Sequence, residues 1–198
     1  MTNVVDQTVV KTILSDHIIC LRLNRPTKRN AINNEMLQLL ADEVRVAELK
    51  GHTRCIILTG GPDFFSAGAD IKEMQADGIS AIQNRTRMEN WAVLESTRIP
   101  LVAAVTGTCL GGGHELTMLC DVVVASERAS IGQPEIKLGH IPGDGATQRL
   151  QRLVGKYVAM KMILTGEPSD AQSALSLGLV SEVVPHGECE TRAQEIAE

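Results

Sequence analysis

Short apolar runs alternate with longer amphipathic ones along the chain. Residues 8–14 and 18–23 are apolar and β-branched, split by Ser15-Asp16-His17, and read as a hairpin. Asn24-Arg25-Pro26 stops the second strand, and 27–30 is a polar loop. Over 34–50, Met36, Leu37, Leu39, Leu40, Val44 and Ala47 recur at helical spacing, and Gly51 closes that helix. Residues 55–58 are continuously apolar and predict a buried strand, broken by Gly60-Gly61-Pro62-Asp63. A loop of small residues follows over 64–70. Asp70 and Glu73 have the spacing of an acidic N-cap and its reciprocal partner, so a helix is expected from Ile71. A longer helix is predicted over 79–97, a buried strand over 101–106 and a glycine-rich loop over 107–113. A short helix over 114–120 and a strand over 122–125 come next, then a loop-rich stretch over 126–145. Residues 146–164 look helical with an interruption at Gly155. A short helix over 170–176, a strand over 181–184 and a last helix from Glu188 complete the pattern. Alternating strands and helices make the class α/β. Periodicity leaves open whether the sheet is doubly wound or otherwise arranged. No linker, repeat or low-complexity tract divides 1–198.

Composition narrows the function. A chain of 198 residues, 43% hydrophobic and 22% charged, can bury one ordinary core. Aromatics are only 2%, namely Phe64, Phe65, Trp91 and Tyr157, so the core is aliphatic and base-stacking platforms are not expected. The net charge is −5 and no basic run exceeds Lys28-Arg29, which argues against a nucleic-acid surface. A few local cations could still hold an anionic small molecule. Five cysteines are scattered with no CxxC, as expected of thiols in a reducing compartment. The start lacks a basic-then-apolar signal, and no apolar run reaches membrane-span length. The expectation is a cytoplasmic protein with no membrane partner.

The candidate chemistry centres on Gly111-Gly112-Gly113-His114-Glu115 and, further on, Gly132-Gln133-Pro134-Glu135. Three consecutive glycines cost backbone entropy, so something is expected to approach that backbone closely. Two strand-to-helix loops share one design, and each could present one free N–H: Ala69 before the Asp70 cap, and Gly112 in the triple glycine. Two donors aimed at one oxygen make an oxyanion hole, which stabilises developing negative charge by several kcal/mol. Either loop alone is explained as a tight connection. Glu115 and Glu135 alone are explained as first-turn acids favoured by a helix dipole. Together, the two loops and two glutamates favour catalysis. A short helix could lead the chain away from Glu115 and the strand over 122–125 bring it back, so that one carboxylate stays ionised and the other protonated beside one site. Sharper motifs fail. His114-Glu115 begins like a zinc-protease helix, but Met118 stands where a second ligand is needed. No GxGxxG, GK[ST] or GxSxG occurs, and the five histidines show no metal spacing, so they read as surface or packing residues.

Several ordered segments resemble the enoyl-CoA hydratase/isomerase (crotonase) superfamily. They are LNRPTKRNAI at 23–32, FFSAGADIKEM at 64–74, PLVAAVTGTCLGGGHELTMLCDVVVA at 100–125, IGQPEIKLGHIPGDGATQRLQRLVG at 131–155 and LTGEPSDAQSALSLGLVSEVVP at 164–185. The resemblance implies a crotonase-like spiral of ββα units, an acyl-CoA thioester as substrate and no cofactor beyond the CoA it carries. It implies that Ala69 and Gly112 polarise the thioester carbonyl and that Glu115 activates water for the β-carbon. Glu135 would deliver a proton to the α-carbon, and Gly143 would help hold the water. Lys28, Arg29, Ala67, Ala69, Asp70 and Ile71 would meet the CoA moiety. Glutamate at both 115 and 135 points to a hydratase in fatty-acid or phenylacetate-type catabolism. An enoyl-CoA isomerase and a non-catalytic acyl-CoA-binding module are the alternatives. His114, Ile131, Asp144 and Ala146 depart from the residues usual at their positions. Relatives continue into a C-terminal helical segment that builds a trimer, or a dimer of trimers. Residues 185–198 are expected to be its start, with most of it lacking.

Overall fold

The computed structural model describes residues 7–78 and 84–198. The predicted hairpin forms, with β1 (Val9–Ile13) antiparallel to β2 (Ile18–Leu23). Four further strands continue the sheet in parallel: β3 (Cys55–Thr59), β5 (Leu101–Val105), β7 (Val122–Ser126) and β10 (Glu182–Val184). The sheet order is β1-β2-β3-β5-β7-β10. A second sheet, in the order β4-β6-β8-β9, is built from β4 (Phe64–Ser66), β6 (Thr108–Leu110), β8 (Ser130–Gly132) and β9 (Ser169–Asp170). Successive units therefore give one strand to each sheet, the ββα spiral expected from the resemblance.

Seven helices are described: α1 (Asn34–Lys50), α2 (Ile71–Asp77), α3 (Arg85–Ser96), α4 (Gly112–Thr117), α5 (Ala146–Thr165), α6 (Ala171–Ser176) and α7 (Cys189–Ala197). Both ends of α1 are capped. Asn33 accepts a hydrogen bond from the Met36 N–H, and Gly51 closes the helix at φ +70°. The expected break in α5 is real, because Gly155 has the non-helical pair φ +75°, ψ 164°. The start of the predicted 79–97 helix, 79–83, lies outside the described residues.

The large sheet is buried on both faces, which is why 55–58 shows no alternation. Ile56 and Leu58 enter the main core with Leu21, Met36, Leu40 and Phe65. Cys55 and Ile57 face a second cluster with Val102, Val124, Cys189 and Ala193, where α7 covers the sheet. All five cysteines are free. Among the described residues no helix is long and apolar enough to cross a membrane.

Three expectations need correction. The stretches 64–70 and 107–113 are not wholly loops; each contributes a three-residue strand to the second sheet, too short to show a period of two. The chain does not return towards Glu115 through β7 alone, since β7 lies in the large sheet. It is β8, parallel to β6, that brings Glu135 back. The Asp70–Glu73 pair is not a reciprocal capping box. Asp70 accepts from the Lys72 and Glu73 N–H groups, but the Glu73 carboxylate accepts from the N–H of Asn34, 2.9 Å away. Glu73 thus ties α2 to the start of α1.

Candidate active site

The triple glycine lies where the end of β6 turns into α4. The Gly111 N–H donates to the Gly132 carbonyl at 2.9 Å, extending the pairing of β6 with β8 by one bond. Gly111 has φ +50°, and a Cβ there would stand 2.9 Å from Glu135 Oε1. A Cβ on Gly113 would stand 2.7 Å from the Ser66 Cβ. Two of the three glycines are therefore required by the protein's own neighbours, a carboxylate and the β4 wall. Gly112 is less crowded: its Cβ would meet the Ala69 nitrogen at 3.4 Å and Asp144 Oδ2 at 3.5 Å. Three consecutive glycines lead to the expectation of a close approach to this backbone. The structure traces it first to Glu135 and Ser66.

Ala69 and Gly112 come together as expected. Ile32 donates to the Gly68 carbonyl and accepts from the Asp70 N–H, so the Ala69 N–H between them points away from that bridge. The Gly112 N–H is in the first turn of α4, where no carbonyl four residues back exists within the helix. The small residues at both positions let the two backbones approach.

Glu115 and Glu135 are both buried, at 2% and 7% exposure. Glu115 Oε1 accepts from the Asp144 N–H at 2.9 Å and the Ala146 N–H at 2.8 Å. Those donors favour the carboxylate. Burial and the nearby Asp144 charge outweigh them and, with a smaller push from Glu135, raise the Glu115 carboxyl to about 8. Burial also raises Glu135; its own backbone N–H and His140 oppose the rise, while Asp144 adds to it. Both carboxyls therefore keep their protons to higher pH than an ordinary glutamate.

Asp144 is itself ion-paired. Arg87, reaching from α3, donates from Nε to Asp144 Oδ1 at 3.2 Å, and its guanidinium lies 6.0 Å from the Trp91 ring centroid. Asp144→Asn removes one negative charge beside Glu115 and leaves Arg87 positive. Both changes favour ionised Glu115. Its titration, followed by carboxyl 13C resonance, is expected to move to lower pH by about one unit. An unmoved midpoint would show that the Asp144 charge does not reach Glu115.

The residues expected at CoA form one neighbourhood. Lys28 and Arg29 are exposed on and just after a 3-10 turn, Pro26–Lys28. The Arg29 carbonyl accepts from the Ala67 N–H at 2.9 Å. Buried Asn30 donates to the Gly60 and Phe65 carbonyls, locking that turn to β4. Ile71 is partly exposed beside them. Asp70 is committed elsewhere: it caps α2 and pairs with Arg25 at 2.8 Å. Burial alone would raise Asp70, but Arg25 and the capping N–H groups prevail and lower it. Gly143 is exposed, and nothing would crowd a Cβ there within 4 Å.

Arg25, Arg87 and Gln133 are site residues that the sequence alone does not single out. Of the two places expected for His114, surface or packing, the structure shows the second: it is fully buried and hydrogen-bonded to Gln133. Arg87 carried no local signal, since its partner is 57 positions away. His114 stands next to Glu115 and Gln133 two positions before Glu135, and that closeness in sequence is the local clue to both.

Two sheets wound from ββα units, with the backbone donors and both glutamates gathered along the smaller one, are the crotonase architecture. Comparison with known proteins agrees. The enoyl-CoA hydratase/isomerase family model matches residues 14–198. The 2,3-dehydroadipyl-CoA hydratase of Escherichia coli is 49% identical over 168 residues, covering 85% of this chain and 66% of that protein. A probable mitochondrial enoyl-CoA hydratase of Dictyostelium discoideum is 45% identical over 176 residues, covering 89% of this chain and 64% of that protein. The crystal structure of an enoyl-CoA hydratase from Bacillus anthracis superposes with a TM-score of 0.91 at 36% identity, covering 96% of this chain and 75% of that one. The chain thus spans about two thirds of the length of these curated relatives. It belongs to the enoyl-CoA hydratase/isomerase family.

Proposed function

We propose that this chain carries the active site of an enoyl-CoA hydratase, adding water to the same face of a trans-2-enoyl-CoA to give the 3-hydroxyacyl-CoA. The observation that carries the proposal is the pair of buried glutamates, one bound by the Asp144 and Ala146 N–H groups and the other lying against Gly111. The thioester oxygen accepts from the Ala69 and Gly112 N–H groups. In the form of the pair that reacts, the proton sits on Glu135 and Glu115 is ionised, so that as the water oxygen bonds to the β-carbon its proton passes to Glu115. The π electrons move onto the thioester oxygen, where the two N–H groups stabilise the charge. The α-carbon then takes the proton of Glu135. One carboxylate ends protonated and one ionised, as they began. The Gly143 N–H steadies the water, while Lys28 and Arg29 face the CoA phosphates and the backbone around Ala67, Ala69 and Ile71 contacts the nucleotide.

Activity needs one proton on the pair. The rate is therefore expected to fall at acid pH, as both carboxylates protonate, and again above about 8, as the pair loses its last proton. The direct test is loss of the conjugated thioester absorbance when crotonyl-CoA is mixed with the protein. Loss of signal with wild type, but not with Glu115→Gln, supports the reading. No loss with substrates of several chain lengths refutes it. The name of the Escherichia coli relative makes 2,3-dehydroadipyl-CoA a second substrate to try.

The proposal extends to a cytoplasmic trimer. Tyr157 (88% exposed), Met160 and Leu164 form an exposed apolar stripe at helical spacing on α5. Sedimentation is expected to give three times the monomer mass, and Tyr157→Asp to lower it. A wild-type chain that sediments as a monomer contradicts the trimer.

A further inference from the structure

Behind the two glutamates lies a buried chain of side chains that the reaction above does not use. His114 Nδ1 is 3.1 Å from the amide end of Gln133, and the ring is wholly buried. With its amide oxygen towards His114, Gln133 places its nitrogen 2.8 Å from Glu135 Oε1 and 3.1 Å from Oε2. The opposite sense creates two defects. The amide oxygen would face a carboxylate, and His114 would carry its proton on Nε2, which has no hydrogen-bond partner. A buried N–H without an acceptor costs about 1–3 kcal/mol. One sense removes both faults: the proton sits on Nδ1 and is donated to the Gln133 oxygen, and the Gln133 NH2 is donated to Glu135.

We propose that His114 is a positioning residue that fixes the sense of the Gln133 amide and so keeps an N–H donor on the Glu135 carboxylate. The kinetic part of this inference rests on the hydratase reading; the geometric part does not. A donor on the carboxylate favours its charged form. Loss of the His114 donor frees the amide to turn, and Glu135 then holds its proton to higher pH. Burial lowers His114 to about 4, against a smaller opposing push from the Gly132 carbonyl, so it stays neutral and donates over the working range. The other titratable or charged groups facing Glu135 are Glu115 from α4, Asp144 with its partner Arg87, and His140 just after Glu135's own 3-10 turn. None is replaced in the variants below.

The test titrates the carboxyl 13C resonances of glutamate-labelled protein. Glu135→Gln assigns the resonance. His114→Leu removes the donor and keeps bulk, Gln133→Met removes the amide, and His114→Asn keeps an N–H near the Nδ1 position. The Glu135 midpoint is expected to rise by about one pH unit, a tenfold weaker acid, in His114→Leu and Gln133→Met, and to stay at the wild-type value in His114→Asn. The acid limb of kcat/KM for crotonyl-CoA is expected to move by the same amount. A purely structural role would lower kcat at every pH and leave the limb in place. A Glu135 midpoint in Gln133→Met equal to wild type overturns the proposal, even if His114→Leu fails to fold. If wild type does not hydrate crotonyl-CoA, the hydratase reading fails, and the titration still decides this one.

Discussion

Glu115→Gln is expected to lower kcat for crotonyl-CoA hydration by about 10³–10⁴-fold, roughly 4–5.5 kcal/mol of barrier, with little change in KM. The substitution keeps the fold, because the Gln carbonyl oxygen can still accept from the Asp144 and Ala146 N–H groups. What it loses is the ability to take a proton from water. Glu135→Gln is expected to cost a similar factor by removing the proton destined for the α-carbon. The double variant should fall little further, because the two groups act as a unit. Stability gives an independent check. The folded Glu115 carboxyl titrates near 8, above the 4.5 of an ordinary glutamate, so the folded state binds the extra proton. That contribution is fully present below about 4.5 and is lost as pH rises through about 8. Glu115→Gln should thus gain in Tm relative to wild type between pH 5 and 8. A constant Tm difference across that range would mean that Glu115 is not perturbed.

The second large effect is at the backbone. Gly112→Pro replaces the N–H by a ring carbon at a position where the helix tolerates proline, because Gly112 is the first residue of α4. A Cβ at 112 meets its neighbours at 3.4 Å or more. The expected result is a kcat lower by about 10²–10³-fold with a near-normal Tm, as for loss of one oxyanion-hole donor. Gly112→Ala keeps the N–H and is expected to stay within about tenfold of wild type. If proline and alanine at 112 are equally active, the Gly112 N–H is not a donor to the thioester.

Elements whose cause is local were legible in the sequence. In α1, apolar spacing and the closing Gly51 agree with the structure, which adds the Asn33 cap at the start. Gly155 announced the break in α5 because no side chain compensates for its backbone. The second sheet was hidden. Phe64–Ser66, Thr108–Leu110 and Ser130–Gly132 are three-residue strands held by neighbours 22 to 44 positions away, and no short window of sequence shows such pairing. The site was half legible for the same reason. The glutamates and the two donor loops lie beside glycines and helix starts, which are local signals. The Arg87–Asp144 pair and the link of Gln133 to Glu135 depend on which loops the fold brings together. Glu73 shows how a correct local pattern can be put to another use: its spacing suited a capping box, but Asn34, 39 residues away, offered the better placed N–H.

The most direct test of the central claim is to run crotonyl-CoA hydration in D2O and locate the deuterium in the product by NMR. The predicted product is 3-hydroxybutyryl-CoA with a single deuterium on C2, on the face that received the hydroxyl, formed by wild type and absent with Glu135→Gln. Unchanged substrate, deuterium on the opposite face of C2, or deuterium at C4 without a 3-hydroxy product would contradict the account.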